Sequence, residues 1–317
     1  MRTSATIVPG QNVVAQKKKN NSELKSKFRR QKYILLLLIP GILWYLIFKY
    51  APMLGVFTAF TDYGTRASVS FVGFENFQQL FTSPGFWNAF RNTLLISLYN
   101  LLFYFPLPII LALLMNELVF VRLRRLVQFI VYIPHFFSWV VVGAVFALLL
   151  SPSQGIVNQI IMSLGGESIY FMADQNWFRS VLVGSYIWRD VGYGTVIYIA
   201  TISTIDVQLY EAATIDGAGY WQKVMYVTLP CLKSTIATVL LLTVARVLQI
   251  FEQVLVMYVP SVYSVSEVLT TYSFTEGLLN GNIGYATAIS LFTAVVSTIL
   301  VLGCNKVSKK FLGEGII

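Results

Sequence analysis

The chain has 317 residues, of which 56% are hydrophobic and only 12% are charged, with a mean hydropathy of +0.68 and a formal net charge of +9. A soluble globular protein of this size needs more polar surface than this composition supplies, so that class is excluded. The composition predicts a polytopic membrane protein. Its two cysteines, Cys231 and Cys304, show no spacing typical of a metal site or a disulfide framework.

The first 32 residues are polar and basic. The stretch 11–32 carries eight lysines and arginines and has no apolar periodicity, which predicts a flexible cytoplasmic tail. Such a stretch can bind nucleic acid. Directly before an apolar run, however, attraction to anionic lipid and the positive-inside bias explain it more simply. We therefore expect the tail to contact membrane lipid and no nucleic acid.

Six stretches of about twenty apolar residues follow, the length that a bilayer core requires of a helix. They predict an all-α membrane protein with six transmembrane helices. The first span is long, and Pro52 is expected to break or tilt it. The third contains the only histidine, His135, which we interpret as a structural histidine hydrogen-bonded within the bundle rather than a proton relay. The predicted spans cover residues 33–60, 93–115, 127–150, 178–201, 235–258 and 284–304.

The charges of the connecting segments predict the orientation, because the more basic side of a membrane protein faces the cytoplasm. Both termini and the segment 206–230 are therefore expected inside the cell. The outer loops 62–86 and 151–177 are candidates for docking an extracellular protein, although either loop can simply connect helices. The basic side contains the tail, Arg122, Arg124, Arg125, Lys223, Lys233, Lys306, Lys309 and Lys310, and the other side contains Arg66, Arg91 and Arg179 beside Asp62, Glu75, Glu167, Asp174, Glu267 and Glu276.

The segment 206–230 is a polar island between two apolar stretches. Asp206 can cap a first short helix, and Gly217 stands where a left-handed residue would end it. A second short helix is predicted over 220–228, and Pro230 is expected to mark the joint with the next apolar segment. The pattern predicts a helix-elbow-helix at the membrane surface, with an ordinary solvated amphipathic loop as the alternative.

Several spaced positions in this segment resemble the EAA loop of ABC-importer permeases. Glu211-Ala212-Ala213 is followed after three residues by Gly217, and after nine more by Val227-Thr228-Leu229-Pro230. The family usually has Ile in place of Val227, which is a volume-conserving difference. In that family the loop is the coupling helix that docks into a groove on the cytoplasmic ATPase subunit. The resemblance assigns this role to Glu211, Ala212, Ala213, Asp216, Gly217, Leu229 and Pro230, and it extends to Ile39-Pro40-Gly41, Arg91-Asn92-Thr93 and Tyr132-Ile133-Pro134-His135.

The resemblance is closest to the sugar permeases that take up oligosaccharides or polysaccharide fragments. It implies a type I importer fold in a bacterial cell membrane, with a tail at 1–32, a first helix and outer loop at 33–86, a five-helix core at 87–307 and a C-terminal tail at 308–317. The core would pair with a second permease, usually a different chain. Two ATPase subunits, which bind ATP and Mg, and an extracellular substrate-binding lipoprotein would complete the importer.

Two other classes compete with the importer subunit. The sequence has no Gly-x-x-x-x-Gly-Lys-Ser/Thr loop, so this chain is not the nucleotide hydrolase and we expect no cofactor in it. An ion-coupled secondary transporter of a polar solute could use Asp190 and Glu252, but it leaves the EAA-like loop unexplained. An enzyme acting on lipid-linked sugars would need paired carboxylates or a metal cluster, which the sequence does not show.

Besides His135, five ionisable residues fall in the interior of the predicted spans, where a charge at the bilayer centre costs at least about 2.5–3.5 kcal/mol. Arg189 and Asp190 are neighbours that point about 100° apart on a helix, so each is expected to pair with another helix or with water. A structural ion pair and a role in the substrate pathway both remain open for them. The five are Lys49, Arg189, Asp190, Arg246 and Glu252.

A polar stripe in the fifth span is the candidate substrate pathway. Arg246, Gln249 and Gln253 are separated by three and four residues, so on a continuous helix they share one face. The stripe can instead be interhelical hydrogen-bonding glue. As a pathway it would exchange hydrogen bonds with sugar hydroxyls, and an unpaired Arg246 would favour an acidic sugar such as a uronide. Tyr193 and Trp188 would offer ring faces for stacking, with Asp190 on the same helix.

Overall fold

The computed structural model describes residues 31–64 and 69–313. Most of the predicted basic tail, Arg66 and the end of the predicted C-terminal tail lie outside these ranges. The described chain is almost entirely helical, and an isolated β-bridge within it pairs Thr61 with Phe71. The chain divides after Phe57 into two units. The fold class predicted from the sequence, an all-α membrane protein, agrees with this architecture.

Sixteen α-helices occupy the described residues, numbered here in chain order. The stretch up to Phe57 contains α1 (Lys32–Tyr45) and α2 (Ala51–Met53), and the remainder contains α3 (Glu75–Thr82), α4 (Pro84–Tyr99), α5 (Pro106–Asn116), α6 (Val121–Tyr132), α7 (Trp139–Leu149), α8 (Ile156–Ser163), α9 (Phe178–Ile202), α10 (Val207–Ile215), α11 (Tyr220–Lys223), α12 (Leu229–Arg246), α13 (Glu252–Met257), α14 (Tyr263–Ser266), α15 (Leu269–Phe274) and α16 (Ile283–Leu312).

Several of these helices join end to end into membrane-spanning lengths. A bent pair, Val121–Phe136 with Trp139–Leu149, adds a further span if its two parts count as one. The 25-residue α9 is also long enough, but it is not apolar enough to be counted with the others. The described structure is therefore compatible with six spans without fixing that number. The stretches that are both long and apolar enough to span are Leu36–Phe60, Pro84–Asn116, Tyr220–Arg246 and Ile283–Lys310.

Three of these stretches pass through a proline without ending. Proline has no N–H to donate and its ring clashes with the carbonyl four residues earlier, so a regular α-helix would break there. Here each proline is preceded by one π-helical turn, a local adjustment of the hydrogen-bond ladder. Pro52 therefore does not end the first span. The turns are Leu46–Tyr50 before Pro52, Asn100–Tyr104 before Pro106 and Val224–Thr228 before Pro230.

The third predicted span, residues 127–150, is not one straight helix. Its two parts meet at an angle of 105°. Phe137 and Ser138 between them are extended, and the Ser138 hydroxyl caps α7 by accepting a hydrogen bond from Val141 N at 3.4 Å. His135 lies in the short 3-10 turn Ile133–Phe136 that precedes this break.

The long helix α9 is at the centre of the second unit, where α5, α6 and α12 pack against it. Near its carboxyl end, Tyr198 is buried in a cluster with Ala112 and Leu232. At Gly192, an added Cβ would lie 1.9 Å from the carbonyl oxygen of Val131, so only glycine lets α6 approach this closely. These contacts fix the face of α9 that carries the polar groups described below.

Candidate functional site

The segment 206–230 forms the predicted helix-elbow-helix. Asp206 caps α10, its Oδ1 accepting a hydrogen bond from Gln208 N at 2.9 Å. After the helix ends at Ile215, Gly217 adopts φ +78°, a left-handed conformation that glycine adopts at no steric cost. Ala218 N then donates to the carbonyl of Ala213 at 2.9 Å, and Gly217 N donates to that of Thr214 at 3.0 Å. This is the Schellman pattern, which satisfies carbonyls left open at a helix end.

The second half of the elbow departs from the prediction. Gly219 begins α11 and donates its N–H to Gln222 Oε1 at 2.7 Å. We expected the helix to stop near Thr228 and Pro230 to mark a joint, but the helical stretch continues without interruption from Tyr220 to Arg246. The π turn described above accommodates the proline, so the expected joint is absent. The elbow is therefore built directly onto a membrane-spanning helix.

One side-chain contact ties the two halves of the elbow together. The hydroxyl of Tyr210 on α10 lies 2.9 Å from Thr228 Oγ1 on the following helix, and Thr228 is buried. A force on α10 would thus be passed to the spanning helix through a short hydrogen bond as well as through the chain. Of the predicted coupling residues, Glu211, Ala212, Asp216, Gly217 and Pro230 are exposed, whereas Ala213 and Leu229 are half-buried.

Large apolar side chains of the elbow are left uncovered. Ile215 is 87% exposed and Trp221 is 71% exposed, and Val207 and Tyr226 are also exposed. Apolar groups concentrated on a short polar segment are typical of a surface that another protein covers. Glu211 adds an exposed carboxylate to the same surface. The geometry thus supports a docking role for this segment.

A second group of functional candidates lies midway along α9. The Oδ1 of Asp190 lies 2.6 Å from His135 Nδ1, and its Oδ2 lies 3.1 Å from a terminal nitrogen of Arg189. We expected Arg189 and Asp190 each to pair with another helix or with water. Asp190 does pair with His135 from a neighbouring element, and Arg189 pairs with Asp190 on its own helix as well as with a neighbouring element. Arg189 also donates from Nε to the carbonyl of Phe137 at 3.0 Å and stacks over Trp139, 4.7 Å from its ring.

The side chains around Asp190 also show how His135 is held in the structure. A carboxylate only accepts hydrogen bonds, so Nδ1 of His135 is the donor in this pair. The imidazole also stacks on the ring of Tyr193, with centroids 3.9 Å apart and planes 2° from parallel. Tyr193 and Trp188 both remain exposed on α9, and Trp188 lies edge-on to Phe146. His135 is thus anchored within the bundle, as its interpretation from the sequence required.

The predicted stripe of Arg246, Gln249 and Gln253 does not form one helical face. The helix α12 ends at Arg246, and α13 begins only at Glu252, so the expected continuous helix over 235–258 is wrong. The break is stabilised from elsewhere in the fold. Ser97 donates its hydroxyl to the carbonyl of Val247 at 2.6 Å, and the Thr270 hydroxyl donates to that of Ile250.

The break sends the three side chains to different places. Gln253 is 3% exposed and donates to the carbonyl of Leu182 at 2.6 Å and to Ser185 Oγ at 2.9 Å. Gln249 is exposed and lines a cavity of about 210 Å³. Arg246 is also exposed and is close enough to Tyr186 on α9 to interact with it electrostatically.

The cavity beside Gln249 was not predicted. It adjoins a wider cleft of about 480 Å³ between α15 and α16, and the two share Thr270, Ser273 and Ser290. The hydroxyls of Ser273 and Ser290 lie 3.2 Å apart. The sequence does contain a series of serines and threonines in the two helices that line the cavity. The periodicity of one helix does not show that residues of two helices meet, so the cavity could not be predicted. The structure thus adds to the candidate pathway a cavity rich in hydroxyl groups, which adjoins a mainly apolar cleft.

Comparison with known proteins shows to which family the chain belongs. A family model described as "Binding-protein-dependent transport system inner membrane component" matches residues 104–311. The chain belongs to this family. This permease is 40% identical over 320 residues to the "Polygalacturonan/rhamnogalacturonan transport system permease protein YteP" of Bacillus subtilis (strain 168), and the alignment covers 100% of both chains.

Two solved structures have the same fold as the permease. A bacterial ABC transporter involved in the import of the acidic polysaccharide alginate matches with a TM-score of 0.84 and 38% identity, covering 91% of this chain and 99% of that one. The alginate ABC transporter in complex with an alginate pentasaccharide-bound periplasmic protein matches with a TM-score of 0.85 and 38% identity, covering 92% and 99%. The predicted ABC-importer permease fold is confirmed, and the permease is a membrane component of a transport system.

Proposed function

We propose that this permease passes an acidic oligosaccharide or polysaccharide fragment across the cell membrane, driven by ATP hydrolysis in separate subunits. The observation that carries the proposal is the elbow, whose uncovered Ile215 and Trp221 give a partner a surface directly attached to a spanning helix. The proposed partners are a second permease, two ATPase subunits that bind ATP and Mg, and an extracellular substrate-binding lipoprotein. The proposed permease core is residues 87–307.

The proposed substrate class is supported by the relatives of the permease and by one of its own side chains. The relatives transport polygalacturonan and rhamnogalacturonan or the acidic polysaccharide alginate, as their names state. In this chain Arg246 is exposed at the end of α12 and forms no ion pair with any residue that the structure describes. An unpaired guanidinium suits a sugar carboxylate, because it can bind both oxygens at once.

The class of transporter is tested by reconstitution. The permease is placed in vesicles with its binding protein, second permease and ATPase subunits, and uptake of a short oligogalacturonide is followed. We expect uptake to require ATP and every added subunit. Uptake by the permease alone under an ion gradient would support the secondary transporter instead.

The acidic substrate is tested in the same vesicles. Arg246→Ala is expected to reduce uptake of the oligogalacturonide severalfold, and Arg246→Lys should retain part of it because the charge remains. A neutral oligosaccharide of the same length serves as the control substrate. Equal loss for both substrates, or no loss for either, would remove Arg246 from substrate recognition.

We further propose that both termini and the elbow face the cytoplasm. In a variant with Cys231 and Cys304 replaced by serine, single cysteines are placed at the exposed positions Ser153 and Lys306. In intact cells, a membrane-impermeant thiol reagent should label the cysteine at 153 and label that at 306 only after permeabilisation. The reverse pattern would invert the orientation. Ser308 is unsuitable for this purpose because it is 2% exposed.

A further inference from the structure

The hydrogen bond between Tyr210 and Thr228 is attached to an irregular turn of the spanning helix 220–246. Thr228 is the last residue of the π-helical turn Val224–Thr228. There, Leu229 N donates to the carbonyl of Val224, five positions back, whereas an α-helix uses the carbonyl four positions back. Such turns depart from the regular ladder and are frequent at functional sites. The side chain of Tyr210 therefore connects α10 to the least regular part of the spanning helix.

The direction of this hydrogen bond follows from a second one. Thr228 Oγ1 forms a long hydrogen bond, at 3.4 Å, with the carbonyl of Lys223, and a carbonyl only accepts. The Thr228 hydroxyl has one hydrogen and donates it to Lys223, so Tyr210 is the donor in the shorter bond at 2.9 Å. Two bonds in series thus run from α10 through Thr228 to a carbonyl directly before the π turn. Removing either hydroxyl breaks the series.

The chain itself is a weak connection between α10 and α11. Residues 216–219 between them are not helical, and two of the four are glycines, which have the greatest conformational freedom. Ala218 N donates back to α10, and Gly219 N donates forward to Gln222 of α11. Since each of these bonds closes the end of its own helix, neither joins α10 to α11. A force on α10 would bend this joint before it moved the spanning helix.

The side-chain bond is placed to carry that force instead. Thr228 is buried and Tyr210 is half-buried, so water competes little for the bond. At about 100° per residue, Glu211 and Ile215 lie roughly 100° and 140° round α10 from Tyr210. Both are exposed, so a partner that covers them leaves the bond between Tyr210 and Thr228 intact.

We propose that Tyr210 is a positioning residue for coupling, which transmits movement of α10 to the π turn of the spanning helix through Thr228. The inference rests on the proposed function, because it requires an ATPase that moves α10. The elbow shapes the docking surface, and the hydrogen bond passes on its movement. A transporter that lacks this bond should assemble and hydrolyse ATP but take up less substrate for each ATP.

The first experiment examines the permease without its partners. In a variant with Cys231 and Cys304 replaced by serine, cysteines placed at the exposed positions Gln208 and Ser234 carry spin labels, one on α10 and one on α12. The distribution of distances between the labels is measured in nanodiscs by electron paramagnetic resonance. We expect a narrow distribution, because the hydrogen bond fixes α10 against the spanning helix.

Three substitutions are compared in this labelled permease. Tyr210→Phe and Thr228→Val each remove the bond and should broaden the distribution. Thr214→Val is the matched control, since the Thr214 hydroxyl bonds within α10, to the carbonyl of Tyr210 at 2.6 Å, and it should leave the distribution unchanged. An unchanged distribution in Tyr210→Phe, or equal broadening in the control, would overturn the proposal.

The second experiment measures coupling in the assembled transporter, as ATP hydrolysed per oligogalacturonide taken up in the same vesicles. Tyr210→Phe should raise this ratio by about two- to tenfold, the range expected for one lost hydrogen bond. Thr228→Val should raise it equally, and the double variant should raise it no further, because both remove the same bond. Thr228→Ser keeps the hydroxyl and should keep the wild-type ratio.

The outcomes separate this inference from the proposed function. Wild-type ratios in both single variants, or effects that add in the double variant, would show that Tyr210 and Thr228 do not act through their bond. Uptake by the wild-type transporter without ATP would instead refute the proposed function and, with it, a role for Tyr210 in coupling. Lower assembly of a variant does not affect the result, because hydrolysis and uptake are measured on the same vesicles.

Discussion

Nδ1 of His135 and Oδ1 of Asp190 lie 2.6 Å apart, which joins the break after α6 to the middle of α9. The same carboxylate holds Arg189, whose guanidinium reaches across the break to the carbonyl of Phe137. One buried aspartate thus organises two side chains that carry or can carry positive charge at a depth where unpaired charges are costly.

The first prediction concerns this aspartate. Asp190→Ala should lower the free energy of unfolding by about 1–3 kcal/mol, because it leaves Arg189 partly buried without its counter-charge. The measurement is thermal unfolding of the permease in detergent. Glu252→Ala is the matched control, since that carboxylate is exposed, and it should change stability by less than about 0.5 kcal/mol. If the two variants unfold alike, Asp190 has no organising role.

The elbow was predictable because its signals are local. A cap at Asp206, a left-handed glycine at Gly217 and the spacing between them are properties of a few consecutive residues. The pairing of Asp190 with His135 was not predictable, since the two are 55 positions apart and meet only through the packing of α6 on α9.

The end of α12 at Arg246 was missed for a related reason. The sequence there has no proline or glycine, and its periodicity suits a continuous helix. The free carbonyls of the break are satisfied by hydroxyls of Ser97, 150 positions away, and of Thr270, 20 positions away. Only the tertiary structure shows that these donors are available, so local propensity could not place the break.

The second prediction concerns coupling. Gly217→Pro should leave the permease inserted and stable but separate ATP hydrolysis from uptake, because proline is restricted to φ near −65° and cannot adopt the observed φ of +78°. The measurements are substrate-stimulated ATPase activity and uptake in vesicles.

The control is the neighbouring glycine of the same elbow. Gly219 has φ −71°, and an added Cβ there meets only Gln222 Oε1 at 3.7 Å, so Gly219→Ala should be nearly neutral. Normal substrate-stimulated uptake in Gly217→Pro would show that the shape of the elbow is not needed for coupling.

The third prediction concerns pH. Burial raises the pKa of the Glu267 carboxyl, and the nearby Glu276 raises it further. The folded protein therefore binds this proton more tightly than the unfolded chain does, and the resulting stability is lost as pH rises through the raised pKa. Glu267→Gln should accordingly raise the melting temperature at neutral pH, and the gain should vanish below about pH 4. The exposed Glu167→Gln is the control, and an equal gain at both pH values would contradict the assignment.

The last prediction separates packing from pathway for two glutamines, of which Gln249 lies in the break after Arg246 and Gln253 follows it. Gln253 is buried and donates two hydrogen bonds to α9, so Gln253→Leu should destabilise the permease by about 1–3 kcal/mol by leaving Ser185 and the Leu182 carbonyl with fewer partners. Gln249 is exposed to the hydroxyl-lined cavity, so Gln249→Leu should leave stability unchanged within about 0.5 kcal/mol.

Transport should respond in the opposite order. Gln249→Leu removes a polar group that can exchange hydrogen bonds with sugar hydroxyls, and uptake should fall severalfold at wild-type stability and with normal assembly. Gln253→Leu should lose uptake only in proportion to the amount of folded permease. Thermal unfolding and uptake are measured on the same preparations, so that each rate can be divided by the folded fraction. If Gln249→Leu transports at the wild-type rate for both acidic and neutral oligosaccharides, the cavity beside Gln249 is not part of the substrate path.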